Sequence, residues 1–169
     1  GERMELARRV HRRGAGHEKL DVLAGQWAVT LTGHRANPAE TLEVGQGSAT
    51  IRWTMGRRFL AWELELDVDG TPHHVSGFLG YDVLVQEYQA LWISELTTGM
   101  SLARGDGDPE GRGIVLQVRP TQEGEIAGAK SLLKVHDRDH FVIESLGLDA
   151  SGREDLVQRA SYTRTGLKP

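Results

Sequence analysis

Histidine, tryptophan and carboxylate side chains supply whatever chemistry this chain can do, because cysteine is absent from all 169 residues. That absence excludes disulfides, thiolate nucleophiles and Cys-containing zinc sites. His73 and His74 are adjacent in an extended run, so one ring points inward and the other outward. An inward imidazole in an apolar interior can serve as a general base, a haem ligand or a satisfied core residue. We take His74 as that inward ring. His136 and His140 flank Asp137-Arg138-Asp139, and a hairpin would bring their rings face to face. Two histidines without a third ligand make an incomplete metal site, and no metal is assigned. His17-Glu18 lacks the second histidine of a zincin helix. Asp106 to Gly111 imitates the start of a calcium loop, but its twelfth position is Gln117, where a bidentate Glu is needed. A turn is the reading there. No nucleophile elbow, P-loop or G-x-G-x-x-G occurs. No catalytic residue and no cofactor are assigned.

The aromatic residues form a more coherent set. Trp53, Trp62, Tyr88 and Trp92 share strand parity with aliphatic neighbours, together with Met55 and Met100. Such a surface is either core filling or the lining of a ligand cavity. On the last expected strand Gln158 shares parity with Ala160 and Tyr162, so an inward amide can orient a ligand. The expected ligand-binding set is Trp53, Trp62, His74, Tyr88, Trp92, Met100 and Gln158, around a small, largely apolar molecule.

These residues need strands to position them. Trp27, Val29 and Leu31 alternate on a first strand, and Ala49, Ile51 and Trp53 on a second. Leu60, Trp62, Leu64 and Leu66 oppose Ala61, Glu63, Glu65 and Asp67 in the clearest period-two pattern of the chain. Asp69-Gly70 is a hairpin turn. Gly77 to Gly105 reads as a meander turning at Gly80-Tyr81-Asp82 and Thr97-Thr98-Gly99. Further runs follow at Ile114 to Arg119, Ser131 to His136, Phe141 to Leu146 and Asp155 to Thr163. The turn Ala150-Ser151-Gly152 precedes the last run, and His34 to Glu40, with Asn37-Pro38, reads as a loop. The expectation is an all-β fold, a single antiparallel closed barrel of about ten strands, since closure removes exposed edges. His17 to Gly25 forms a short helical turn before it.

Composition agrees with one domain. Hydrophobic residues are 38% and charged residues 26%, and 21 glycines against 5 prolines suit strands with many turns and bulges. Residues 1–16 form a basic arm with five arginines, and residues 17–169 form the barrel domain. A net charge of −4 gives no general attraction to nucleic acid or anionic membrane. No apolar run is long enough to span a bilayer and the N-terminus has no signal-peptide core, which points to a cytoplasmic protein. Leu91 and Ile93, on the outward parity of their strand, offer a homodimer patch.

Gly25-Gln26-Trp27 after a short helix resembles the G-x-W element of lipocalin and calycin barrels. In those barrels a last-strand Arg packs over the Trp, a role that falls to Arg164 in Tyr162-Thr163-Arg164. The chain is similar more closely to a calycin-like family known as domain of unknown function fifteen seventy-nine. The matching pattern runs through Leu23, Gly25 and Trp27, then Gly56-Arg57-Arg58-Phe59-Leu60 and Gly80-Tyr81-Asp82. It continues through Tyr88, Trp92, Thr98-Gly99-Met100, Gly105 to Asp108 and the closing Tyr162-Thr163-Arg164. The family usually has an acid two residues after the fifth-strand Trp, where this chain has Ser94, with Glu95 next. The resemblance implies a fold and no established activity. A barrel enzyme of isomerase or cyclase type is the alternative to a binding module, with no paired acid and base to support it. Haem binding, as in the related nitrobindin barrels, is disfavoured. The chain lacks both their glycine-rich segment after the first strand and their histidine near the C-terminus.

Overall fold

A computed structural model of the chain describes residues 1–34, 41–107, 113–119, 129–148 and 151–167. The expected loop at Asn37-Pro38, the second half of the calcium-like segment (Asp108 to Gly111) and Ala150 lie outside the described residues. Helix α1 spans Glu2–Val10 and buries none of its residues, while α2 spans Ala15–Leu20 and continues into a 3-10 turn at Asp21–Leu23. The strands are β1 Gly25–His34, β2 Thr41–Thr54, β3 Phe59–Val68, β4 Thr71–Asp82 and β5 Glu87–Ser94. They continue with β6 Ser101–Gly105, β7 Ile114–Val118, β8 Lys130–Asp137, β9 His140–Leu148 and β10 Glu154–Gly166. Each pairs antiparallel with its sequence neighbours, and β10 pairs with β1, so the sheet closes as an antiparallel barrel of ten strands.

Local sequence explains the meander. Asp69 and Gly70 both adopt positive φ, 52° and 80°, which is the two-residue geometry whose twist matches paired strands. Strand β3 alternates as the sequence predicts, with Leu60, Trp62, Leu64 and Leu66 buried and Glu63, Glu65 and Asp67 exposed. At Gly77 on β4 a side chain has no room: a Cβ there would sit 2.2 Å from the Trp92 ring and 2.4 Å from the Leu91 carbonyl oxygen. The glycine lets Trp92 lie across the neighbouring strand.

The core is the barrel interior plus the helical cap. Leu20 and Leu23 from α2 and the turn after it are 0% and 1% exposed, packed into the end where β1 begins. Above them Trp27, Trp62, Phe141 and Tyr162 meet edge-to-face or stacked, with ring centroids 4.2 to 6.5 Å apart. Such pairs add about 0.5–1.5 kcal/mol each beyond the area they bury.

Candidate functional site

The two ends of the barrel are built differently. At the capped end Arg164 lies over Trp27, 4.2 Å from the ring centroid, as the G-x-W resemblance implies. Its guanidinium also donates to the carbonyls of Ala24 at 2.8 Å, Val22 at 2.5 Å and Arg138 at 2.8 Å. The Trp27 indole donates to the Leu23 carbonyl at 2.9 Å. One cation therefore ties the last strand to the first strand, the cap and the β8–β9 turn. Burial lowers the Arg164 pKa, opposed by the nearby Asp139 carboxylate.

His17 is the buried centre of the cap, 3% exposed, its ring 5.9 Å from Tyr81 and 6.4 Å from Trp53. The Gly14 N–H donates to His17 Nδ1 at 3.3 Å, which makes Nδ1 an acceptor and the ring neutral. Burial is the main cause lowering its pKa, and the Arg13 and Arg58 cations add to it against the opposing Asp21. Arg13 sits over Trp53 at 4.9 Å and pairs with Asp21 at 2.8 Å. Tyr88 donates to the Gly16 carbonyl at 3.1 Å. Trp53 and Tyr88 thus belong to the capped end, where they hold the cap; Trp53 borders a surface cleft there with Arg57, Arg138 and Arg164.

Two other expected ligand residues point elsewhere. His74 is exposed on the outer wall, and His73 takes the inward place because it pairs with Leu66, two residues from Val75 on the core parity. His74 Nε2 instead meets Glu63 at 2.5 Å, and Ser76 donates to the same carboxylate at 2.6 Å. Met100 is 62% exposed in the turn before β6, and Met55 is 72% exposed with φ 52°, so both lie off the interior surface. Turn backbones release side chains from strand parity, which alternation alone does not show. His140 bonds Asp137 at 2.9 Å, and a register shift between Val135 and Asp137 leaves His136 outside any cross-strand pair with it. Leu91 and Ile93 lie on the outer wall beside Phe78 and Leu102.

The mouth opposite the cap gathers Trp62, Trp92 and Gln158 with residues that strand pairing alone could identify. Trp62 is 1% exposed and forms the floor, and Trp92 stands edge-on to it at 5.2 Å between centroids, half-buried. Ser131, Ser145 and Gln158 are matched residue to residue across β8, β9 and β10, with Gly33 of β1 next in the row. They share the face of Leu133, Ile143 and Ala160, so all three project inward. Among the described residues none of these three side chains hydrogen-bonds to protein. The opposite wall presents Leu64, Leu66, Val68 and Val75, with His73 at its edge. The signal for Ser131 and Ser145 was present in sequence as parity with Leu133 and Ile143. It needed the register between strands to become a row.

On the outer wall Glu144 is 5% exposed, held by Lys134 at 2.5 Å and Arg159 at 2.8 Å. Burial raises its pKa, but the hydrogen bonds and charges of Lys134 and Arg159 outweigh that, and the net shift is downward.

A solved structure from M. tuberculosis, Rv2717c, has the same fold, with a TM-score of 0.62 and 16% identity over 91% of this chain and 99% of that one. A designed barrel, mFAP2b bound to DFHBI, matches at a TM-score of 0.48 with 11% identity, over 89% of this chain and 100% of its own. No curated protein matches the chain. The model of the family "Protein of unknown function (DUF1579)" matches residues 12–164, from Arg12 before the cap to Arg164 over Trp27. The chain belongs to that family.

Proposed function

We propose that the upper half of the barrel binds a small, largely apolar molecule on the Trp62–Trp92 floor. One observation carries this reading: inward-facing aromatic side chains are sealed at and below the floor, whereas Trp92 and the polar inward side chains above it stay accessible beside buried Leu64 and Leu66. Trp27, Trp62, Phe141 and Tyr162 are 1 to 3% exposed, whereas Trp92, Ser131 and Ser145 are half-buried and Gln158 is exposed. Inward side chains that remain accessible mark an interior its own residues do not fill. An apolar pocket with a few polar groups is the usual form of a ligand site.

The test is titration with N-phenyl-1-naphthylamine, an uncharged fluorophore that brightens in apolar surroundings. Saturable brightening is expected, with at least about tenfold weaker binding after Ser131→Phe, which places a ring inside the mouth. No saturable signal, or unchanged affinity in Ser131→Phe, overturns the reading. A second reading, an enzyme of isomerase or cyclase type, draws on His73, a titratable side chain at the edge of the inner face. Turnover of a bound ligand that stops in His73→Gln while binding persists would favour it.

A further inference from the structure

A carboxylate interrupts the inner wall of the mouth. The register shift between Leu156 and Gln158 leaves Val157 unpaired and resets the alternation of β10. Glu154 therefore meets Lys130 on the outer wall, and Leu156 pairs with Leu146 on that same face. Asp155, between them, pairs with Gly147 and takes the inner face, one step along β9 from Ser145. It is half-buried, and among the described residues no hydrogen bond or ion pair engages it. A Cβ built on Gly147 would have one described neighbour within 4 Å, Val157 Cγ2 at 3.4 Å, so the space beside Asp155 is open.

The cations of the barrel lie away from this carboxylate or are already paired. Arg164 is at the opposite, capped end, committed to three carbonyls and 3.3 Å from Asp139. Lys130, Lys134 and Arg159 of the surrounding strands turn outward to Glu154 and Glu144. His73 belongs to β4, on the wall of Leu66 and Val75. Asp155 is thus a partly desolvated charge without a partner, next to the unbonded row Ser131–Ser145–Gln158. Such a charge is destabilising by itself and is offset by a cation that binds beside it.

Resting on the binding reading above, we infer that the ligand carries a protonated amine on an apolar body. The ammonium group donates to Asp155 and to the oxygens of Ser145 and Gln158, and the body lies against Leu64, Leu66, Val75 and Trp92. An ammonium has three donors and no acceptor, which suits a carboxylate flanked by hydroxyl and amide oxygens. An anionic head would meet Asp155 with like charge.

Three matched probes test this by displacement of N-phenyl-1-naphthylamine at neutral pH: 2-naphthylmethylammonium, 2-naphthalenemethanol and 2-naphthoate. The ammonium should bind about three- to tenfold tighter than the alcohol, from a charge-assisted hydrogen bond at a half-exposed site, and 2-naphthoate should bind weakest. In Asp155→Asn, which keeps the shape of the side chain, the ammonium's advantage should fall below about twofold while the alcohol binds as before. Asp155→Ala serves the same comparison if the asparagine variant misfolds. A preference that came only from the net charge of −4 would survive both substitutions. Overturning results are equal binding of ammonium and alcohol, 2-naphthoate tighter than the ammonium, or a preference that outlasts the carboxylate. Three probes that all fail to displace the fluorophore overturn it too, and each of these leaves the apolar site standing. Absence of any saturable signal from N-phenyl-1-naphthylamine itself removes both readings.

Discussion

The capped end and the mouth share the same strands and the same alternation, yet one is sealed and the other is not. At the cap Arg164 is committed to three carbonyls, the Trp27 indole to Leu23 and the Tyr88 hydroxyl to Gly16, while the buried Trp53 Nε1 has no hydrogen-bond partner among the described residues. At the mouth, Ser131, Ser145 and Gln158 have the same inward geometry with no protein partner among the described residues. A barrel of ten strands is wider than the eight-stranded barrels whose interiors side chains just fill. Here the filling is concentrated at one end, by a helix and four aromatic rings. On the proposed reading, the difference marks where stability and function separate along the barrel axis.

The sharpest way to break that comparison is to remove equal-purpose residues from each end. Trp62→Ala, at the floor, should destabilise the fold by about 3–5 kcal/mol in urea denaturation, since it removes the ring that Trp92, Phe141 and Tyr162 all contact. Ser145→Ala should change stability by no more than about 0.5 kcal/mol. Comparable losses in the two variants would mean that the mouth is as much a structural core as the floor. Next in size, Arg164→Ala should cost about 2–4 kcal/mol, because three carbonyls lose a charged donor and Trp27 loses its covering cation. Arg164→Lys should recover less than half of that, as a point charge cannot reach all three carbonyls. Full recovery with lysine would show that charge alone, without the guanidinium fork, locks the cap.

Most of the fold was legible because alternation is strong wherever a strand is half-buried, as in Leu60 to Asp67, and because Asp69-Gly70 sets an unambiguous turn. The Trp27–Arg164 pair was legible through its flanking residues. The site was only partly so. Two parities compete on β4, Phe78-Ser76-His74 and Leu79-Gly77-Val75-His73, and the bulkier Phe78 favours the wrong one. Phe78 is 47% exposed and Leu79 is 1% exposed. The choice was settled by Gly77, whose missing Cβ accommodates Trp92, a cross-strand fact that a single strand does not encode. The serine row was hidden for the same reason: each serine is ordinary within its own strand, and only the register of β8 to β10 aligns them. The cap was missed at His17, which reads as a stray zinc-motif fragment until Trp53 and Tyr81 close over it.

That histidine gives the smallest expected effect and the one most specific to the capped end. Nδ1 of His17 accepts from the Gly14 N–H, and Arg13 and Arg58 lie close enough to disfavour a further positive charge. Asp21 opposes them but is itself paired with Arg13 and with Arg57 at 3.2 Å. The folded-state pKa therefore lies below the ordinary value of 6.5, so below that pH the unfolded chain takes up a proton before the folded one does. The contribution of neutral His17 is complete above about pH 6.5 and is lost progressively as pH falls from there through the lower folded value. His17→Gln keeps an acceptor for Gly14 and does not titrate. The stability difference between wild type and His17→Gln should thus shrink as pH falls from about 7.5 to about 5, followed by urea midpoints. A difference that stays constant across that range would mean that protonation leaves the cap in place. The capped end would then be insensitive to charge at its buried centre.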